Sequence, residues 1–163
     1  MKSEAIIHPF DPVFDENSKI LILGSFPSVK SRENAFYYGH ERNRFWRMIS
    51  ALFSEPLPET VEQKKVLLLR HNIALWDSAA SCSVHASSDS SIRNAVPNDV
   101  KSLLDKTNIT RIYANGKTAA QLYNKLVLPS TGVEIVALPS TSPANAAFSL
   151  EKLIENWQVI TQN

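Results

Sequence analysis

Four short apolar runs, each ending at turn-forming residues, constrain the fold of this chain more than any other feature. Such runs are typical of strands that are buried on both faces of a parallel sheet. They are Ile20–Leu23 before Gly24, Ile73–Trp76 before Asp77, Ile109–Ala114 before Asn115 and Gly116, and Val133–Leu138 before Pro139.

Helical patterns, with apolar residues at helical spacing, alternate with these runs. They are Phe45–Phe53, Val61–Arg70, Asp99–Leu104, Lys117–Val127, and Asn145 or Ala146 to Gln158. This alternation predicts an α/β fold with three layers, α/β/α, around a central, mostly parallel sheet of about four strands. We expect the 163 residues to form a single domain, 1–163.

Right-handed crossovers bring the loops that follow the strands to one edge of such a sheet, where ligands bind. The loops to examine therefore begin at Ser25, Asp77, Asn115 and Pro139. Polar residues follow the last apolar residue of each run, so this edge is the predicted site.

Charge and cysteine content exclude several classes of protein. Lys and Arg number 17 against 16 Asp and Glu, which argues against a protein that coats long nucleic acids but not against one that grips a few phosphates. Cys82 is the single cysteine, so a disulfide within the chain and an all-cysteine metal site are excluded. Cys82 and His85 form one C-x-x-H pair, too few ligands for a metal site, and we expect both in a loop.

No apolar stretch approaches the roughly 20 residues that cross a membrane, and the first residues lack a secretory signal. We therefore expect a cytoplasmic protein with no membrane partner.

The crossover from Ser25 to Trp46 is unusually long and rich in groups that bind nucleic acid. Asn43 offers an amide that can hold a water or a base edge, and Arg42 and Arg44 can meet phosphates. Aromatic rings that can stack on a base are Phe26, Tyr37 and Tyr38. In the competing interpretation, the aromatic rings of the crossover are core and its arginines form a solvated surface.

The last loop, from Pro139 to Asn145, holds hydroxyl groups between two prolines. It can bind a phosphate through its serines and through helix N-terminal amides. Alternatively, Ser142 or Asn145 caps the helix that follows. The two interpretations are compatible.

Together these segments resemble the uracil-DNA glycosylase superfamily, and most closely its hypoxanthine-DNA (deoxyinosine) glycosylase branch. The resemblance extends from about Ile20 to Asn145. The matching motifs are Gly-Ser-Phe-Pro-Ser at 24–28, Tyr-Tyr-Gly at 37–39, Asn-Arg-Phe-Trp at 43–46, Asn-Gly at 115–116 and Leu-Pro-Ser-Thr-Ser-Pro-Ala-Asn at 138–145. It implies that a nucleotide is flipped out of DNA and that its N-glycosidic bond is hydrolysed without metal or cofactor, the bond breaking largely before water attacks.

The resemblance also assigns roles to residues. In much of the superfamily an Asn or Asp of the first loop positions the water, but here Phe26 stands there and cannot do so. In the hypoxanthine branch an Asn further along takes over, and Asn43 matches it as the catalytic residue. Phe26 and Tyr38 then bind the base, and Asn115 reads its edge, because an amide can pair with both O6 and N1–H of hypoxanthine.

The DNA backbone and intercalation loops are assigned in the same way. Their residues are Ser25, Pro27, Ser28, Ser140, Thr141, Ser142 and Pro143. By topology, Asp77 and Ser78 form a further wall of the pocket together with Ser88, Asp89, Ser90 and Arg93, and no firm role follows for these residues. Asp77 either holds the hydrogen-bond network of the pocket or caps a turn.

Three alternatives remain. A serine hydrolase using Ser25 or Ser28 would need a G-x-S-x-G elbow, which is missing. A nucleotide-binding module would need a glycine-rich phosphate loop, also missing. A catalytically weak superfamily member that only binds DNA stays open because of Phe26. The preferred prediction is a monomer that acts on hypoxanthine, with uracil or xanthine as further substrates, in double-stranded or single-stranded DNA.

Overall fold

A computed structural model describes residues 4–7, 11–26, 36–84 and 93–162. Its strands are β1 Glu4–Ile7, β2 Ile20–Gly24, β3 Ile73–Asp77, β4 Ala79–Val84, β5 Arg93–Pro97, β6 Arg111–Asn115 and β7 Ile135–Leu138. Its α-helices are α1 Phe45–Leu52, α2 Val61–Arg70, α3 Val100–Asp105, α4 Lys117–Leu122, α5 Leu128–Thr131 and α6 Leu150–Trp157. A π-helical turn spans Tyr123–Val127 and a 3-10 turn spans Gln158–Thr161.

The central sheet has the strand order β3-β2-β6-β7, and all its neighbouring strands run parallel. In its register Gly24 lies beside Asp77, and Asn115 lies beside Leu138. The carboxyl ends of the four strands therefore meet at one edge, as predicted, and the predicted three-layer architecture is confirmed.

Both faces of β2, β3 and β6 are buried, which explains why these strands are almost continuously apolar. The edge strand β7 is the exception to the predicted burial, since Val136 is 51% exposed. Ile20 and Ile22 face a core formed with α1, α2 and α6. Leu21 and Leu23 alternate to the other face and pack against α3 and the π-helical turn. Each layer of helices thus covers one face of β2, and these four strand residues are at most 2% exposed.

A second sheet, β1-β4-β5, is antiparallel and was not predicted from the sequence. Its strand β4 lies in the Ser-rich stretch from Ser78 to Ser91, in which polar residues hide the strand pattern. The expectation that Cys82 lies in a loop is wrong, because it pairs with Ile6 inside β4. His85 and Asp89 lie outside the described residues.

The last helix begins later than predicted, at Leu150, with Ser149 as its N-cap. The Ser149 hydroxyl accepts a hydrogen bond from Lys152 N at 3.2 Å, and Glu151 lies in the first turn, where a negative charge is favourable. The alternative that Ser142 or Asn145 caps this helix is therefore wrong. Because residues 139–149 are not helical, the last loop has no helix N-terminal amides to offer a phosphate.

Candidate active site at the strand ends

Gly24, at the end of β2, leaves room for the side chains of Asp77 and Tyr38. A Cβ at position 24 would lie 2.3 Å from Asp77 Oδ1 and 3.0 Å from Tyr38 Oη. Any side chain here would thus displace the carboxylate, since a separation of 2.3 Å is far inside van der Waals contact. Asp77 is only 3% exposed, so the predicted wall residue is brought to the predicted site.

The strand pairing continues past Gly24 into the first loop. Ser78 N donates to Gly24 O at 2.7 Å, and Ala79 N donates to Ser25 O at 3.1 Å. Ser78 is fully buried, with its hydroxyl 3.3 Å from Ala119 O. Ser25 and Phe26 are each 7% exposed, so in this structure neither presents a broad surface to solvent. Pro27 and Ser28 lie outside the described residues.

Tyr38 and Tyr37 are neighbours with different environments. Tyr38 has a left-handed backbone, with φ of 54°, and its ring stacks on Phe45 with centroids 4.2 Å apart. Tyr37 is 2% exposed, and its hydroxyl donates to Asp11 O at 2.9 Å. Burial, with a smaller contribution from the charge of Asp77, raises the pKa of Tyr37 well above its usual range, so it stays protonated. Tyr37 is therefore core, and Tyr38 is the ring placed beside the site.

The side-chain amide of Asn43 is held by two donors. Its Oδ1 accepts from Phe45 N at 2.9 Å and from Thr141 Oγ1 at 2.8 Å. Because a backbone N–H can only donate, the amide oxygen must face Phe45, and the amide orientation follows. Both lone pairs of Oδ1 are then in use, whereas Nδ2 has no hydrogen-bond partner among the described residues.

Asn115, at the end of β6, pairs with the same threonine. Its Oδ1 accepts from Thr141 N, and its Nδ2 donates to Thr141 Oγ1, both at 3.0 Å. Both bonds go to Thr141. They therefore occupy the edge of the amide with which Asn115 could otherwise make a pair of hydrogen bonds to a base. One Nδ2 hydrogen and one Oδ1 lone pair remain, and the residue is 9% exposed.

Arg44 lies inside the site and holds the last loop. Its backbone N donates to Thr141 O at 3.1 Å. Its guanidinium donates to three further carbonyls, those of Ser142 at 2.7 Å, Asn145 at 3.2 Å and Phe148. In this structure, the donors of Arg44 therefore bond the last loop and are not directed at a phosphate. Arg42, by contrast, is exposed.

The last loop divides into a buried centre and an outer rim. Thr141 is fully buried, whereas Ser140 and Ser142 are half-buried and Pro143 is exposed. The hydroxyls of Ser140 and Ser142 accept from Ser142 N at 3.1 Å and Ala144 N at 3.2 Å. Each hydroxyl still has a proton to donate. Ser140, Ser142 and Pro143 therefore form the solvent-facing rim of the loop, and the side chain of Thr141 does not reach solvent.

Two features of this site had no signal in the sequence. Thr141 looked like one hydroxyl among several, and Arg44 looked like a surface arginine beside Arg42.

Within the described ranges, no group of three or more His, Cys, Asp or Glu could hold a metal ion, and no helix is long and apolar enough to cross a membrane.

Comparison with known proteins places this geometry in a family. The family model of the uracil DNA glycosylase superfamily matches residues 12–160. A protein of Methanosarcina acetivorans named hypoxanthine DNA glycosylase is 39% identical over 153 residues, which are 93% of this chain and 95% of that protein. A protein of the same name from Methanosarcina barkeri is 34% identical over 150 residues, 91% and 93% of the two chains.

A solved structure shows the same architecture. It is a solution NMR structure from Methanosarcina acetivorans, of a protein described as a candidate uracil DNA glycosylase. The TM-score is 0.81 at 35% sequence identity, and the match covers 96% of this chain and 98% of the other.

Proposed function

Because the chain belongs to the uracil DNA glycosylase superfamily, we propose that this DNA glycosylase excises hypoxanthine from DNA. The observation that carries the proposal is the meeting of Asn43 and Asn115, through Thr141, at the carboxyl edge of the sheet. The two relatives named hypoxanthine DNA glycosylase, which match this chain over 95% and 93% of their own lengths, support the choice of base. The reaction breaks the N-glycosyl bond and leaves an abasic site.

Asn43 is proposed to hold the attacking water. The C1′–N9 bond breaks first, its electron pair leaves with the base, and the sugar becomes cationic; water oxygen then bonds to C1′ and the proton it loses ends on the base. With Oδ1 filled by two donors, Asn43 can hold the water only by donating from Nδ2. A water held in this way keeps a second lone pair for C1′.

The flipped base is proposed to lie against Tyr38, with Asn115 at its polar edge. The ring of Tyr38 is supported from behind by Phe45, which keeps it in place. Asn115 can donate its remaining Nδ2 hydrogen to O6 of hypoxanthine. Phe26 belongs to the same pocket in this proposal, as a further stacking surface for the base.

The rim of the last loop is proposed to grip the DNA backbone. Hydroxyl protons of Ser140 and Ser142 can bond phosphate oxygens, and the exposed ring of Pro143 can press on the duplex as the nucleotide leaves. Ser25, Pro27 and Ser28 are proposed to contact the DNA backbone as well. The net charge of the chain is only +1, so we expect modest affinity for undamaged DNA.

The test is incubation of the purified protein, in EDTA, with oligonucleotides that contain one hypoxanthine, uracil, xanthine or mismatched thymine. Both duplex and single-stranded forms are used, and alkali-labile abasic sites are counted. Hypoxanthine should give the most strand breaks. Cleavage of uracil alone would overturn the choice of base, and DNA binding with no cleavage would identify a catalytically inactive binder.

A further inference from the structure

We propose that Thr141 is a positioning residue through which Asn115 orients Asn43, so that the two amides work as one unit. This inference rests on the proposed function, since it concerns the same site. It changes the role of Thr141 from a contact of the DNA loop to a connection inside the protein.

The direction of each hydrogen bond follows from the chemistry of the atoms. Asn43 Oδ1 can only accept, so the Thr141 hydroxyl donates its proton to it at 2.8 Å. The same hydroxyl oxygen then accepts from Asn115 Nδ2 at 3.0 Å. Each amide is oriented independently by a backbone donor, Phe45 N for Asn43 and Thr141 N for Asn115. The chain of donors therefore runs one way, from Asn115 to Thr141 to Asn43.

A one-way chain of hydrogen bonds affects the atom at its end. Each bond polarises the next in a buried environment, and Thr141 is fully buried. An amide whose oxygen accepts two hydrogen bonds has a more positive nitrogen, so Asn43 Nδ2 becomes a better donor. The chain also restricts rotation of the Asn43 side chain, and catalysis is sensitive to shifts of about 1 Å in such groups.

The threonine backbone reinforces the connection from both sides. Its carbonyl accepts from Arg44 N at 3.1 Å, while its N–H donates to Asn115. Residues 43 and 44 thus hold both the side chain and the main chain of Thr141. A rigid threonine can transmit orientation between two strand-end loops, whereas a mobile one could not.

The experiment compares Thr141→Val, which keeps the shape and removes the hydroxyl, with Thr141→Ser, which keeps the hydroxyl. Excision of hypoxanthine is measured under single-turnover conditions. We expect Thr141→Val to lower the maximal rate about tenfold to a hundredfold with little change in half-saturation by DNA. Thr141→Ser should stay within about threefold of the wild type, which a role in packing the threonine methyl group would not predict. Equal rates for Thr141→Val and the wild type overturn the proposal.

A double-mutant cycle separates coupling from simple damage. In an Asn115→Ala background, Thr141→Val should cost less rate than it costs in the wild type, because the Thr141 hydroxyl that bonds Asn43 is no longer oriented and polarised by Asn115. Independent, multiplicative losses would show that the two residues act separately, and would overturn the proposal.

A third measurement does not depend on activity or on how the variants fold. In NMR spectra of the wild-type protein, the Thr141 hydroxyl proton should exchange slowly enough to be seen, because it is buried and bonded to Asn43. Rapid exchange would overturn the inferred chain. If the wild-type protein excises no base, the proposed function fails, and this measurement still decides whether the chain exists.

Discussion

Arg44 donates a hydrogen bond from Nη2 to the carbonyl of Ser142 at 2.7 Å, across 98 positions of sequence. Carbonyls of Asn145 and Phe148 receive further bonds from the same guanidinium. A segment without regular secondary structure is thereby fixed by one planar group, because the fork of donors matches several carbonyls at once. Hydrogen bonds from Arg44 therefore fix the position of the last loop.

Replacing Arg44 by Ala should lower the free energy of unfolding by about 2–3 kcal/mol, because several partly buried carbonyls lose a charged donor at once. Urea unfolding measures this loss. Arg42→Ala is the matched control, since Arg42 is exposed, and it should change the free energy by less than about 0.5 kcal/mol. Equal losses in the two variants would contradict the internal role of Arg44.

The two arginines should also differ in DNA binding. If Arg42 contacts a phosphate, Arg42→Ala reduces the slope of log affinity against log salt by about 0.9. Arg44→Lys keeps the charge but loses the fork of donors, and it should leave that slope unchanged. Titrations of labelled DNA at several salt concentrations measure both slopes, and a reduced slope for Arg44→Lys would place Arg44 on the DNA.

Asn43→Ala should lower the rate of hypoxanthine excision at least about a hundredfold, because it removes the water-holding group. Asn43→Asp keeps an acceptor for Phe45 and Thr141 and removes the Nδ2 donor, and it should also lose at least about tenfold. Single-turnover assays measure both rates, with Asn124→Ala, at an exposed position, as the matched control. An Asn43→Asp rate at or above that of the wild type would show that this position accepts a proton.

Gly24→Ala should lower both stability and excision, because its Cβ displaces the Asp77 carboxylate. We expect a loss of about 1–3 kcal/mol in the free energy of unfolding, as for other overpacked buried positions. Gly132→Ala is the control, because it strains the backbone without a steric clash. The φ of Gly132 is 67°, which is unfavourable for alanine, but no atom lies within 4 Å of the new Cβ. This substitution should cost about 1–2 kcal/mol and leave the excision rate of the folded protein unchanged. Loss of excision in both variants would show that the rate follows stability alone.

Stability should depend on pH through Glu55. Hydrogen bonds from Arg70 first, and then His71, hold the pKa of Glu55 below its usual value of 4.5. The ionised form is therefore favoured in the folded state, so its contribution is fully present above pH 4.5 and is lost as the pH falls through the lowered pKa. The free energy of unfolding, measured with urea at about pH 7 and about pH 3, should fall less between these two pH values in Glu55→Gln than in the wild type. Glu134→Gln, at an exposed position, should lose as much as the wild type, and an unchanged loss in Glu55→Gln would contradict the prediction.

The parallel sheet and most of its helices could be predicted because burial on both faces leaves a direct trace in composition. Runs such as Ile20–Leu23 and Ile73–Trp76 have little room for polar residues. The second sheet left no such trace, since Cys82 and its serine neighbours in β4 do not form an apolar pattern. The start of α6 was misplaced because Ser142, Asn145 and Ser149 are all good N-caps, and only the backbone shows which one is used.

By itself, the sequence determined the layered fold, the edge at which strands end, and the polar residues that gather there, because these follow from local patterns and from the handedness of crossovers. Only the tertiary structure decided how those residues connect. Thr141 lies between Asn43 and Asn115, and Arg44 turns inward to the last loop, because segments about a hundred residues apart in sequence approach within hydrogen-bond distance. Partners of this kind depend on distances that no local pattern encodes.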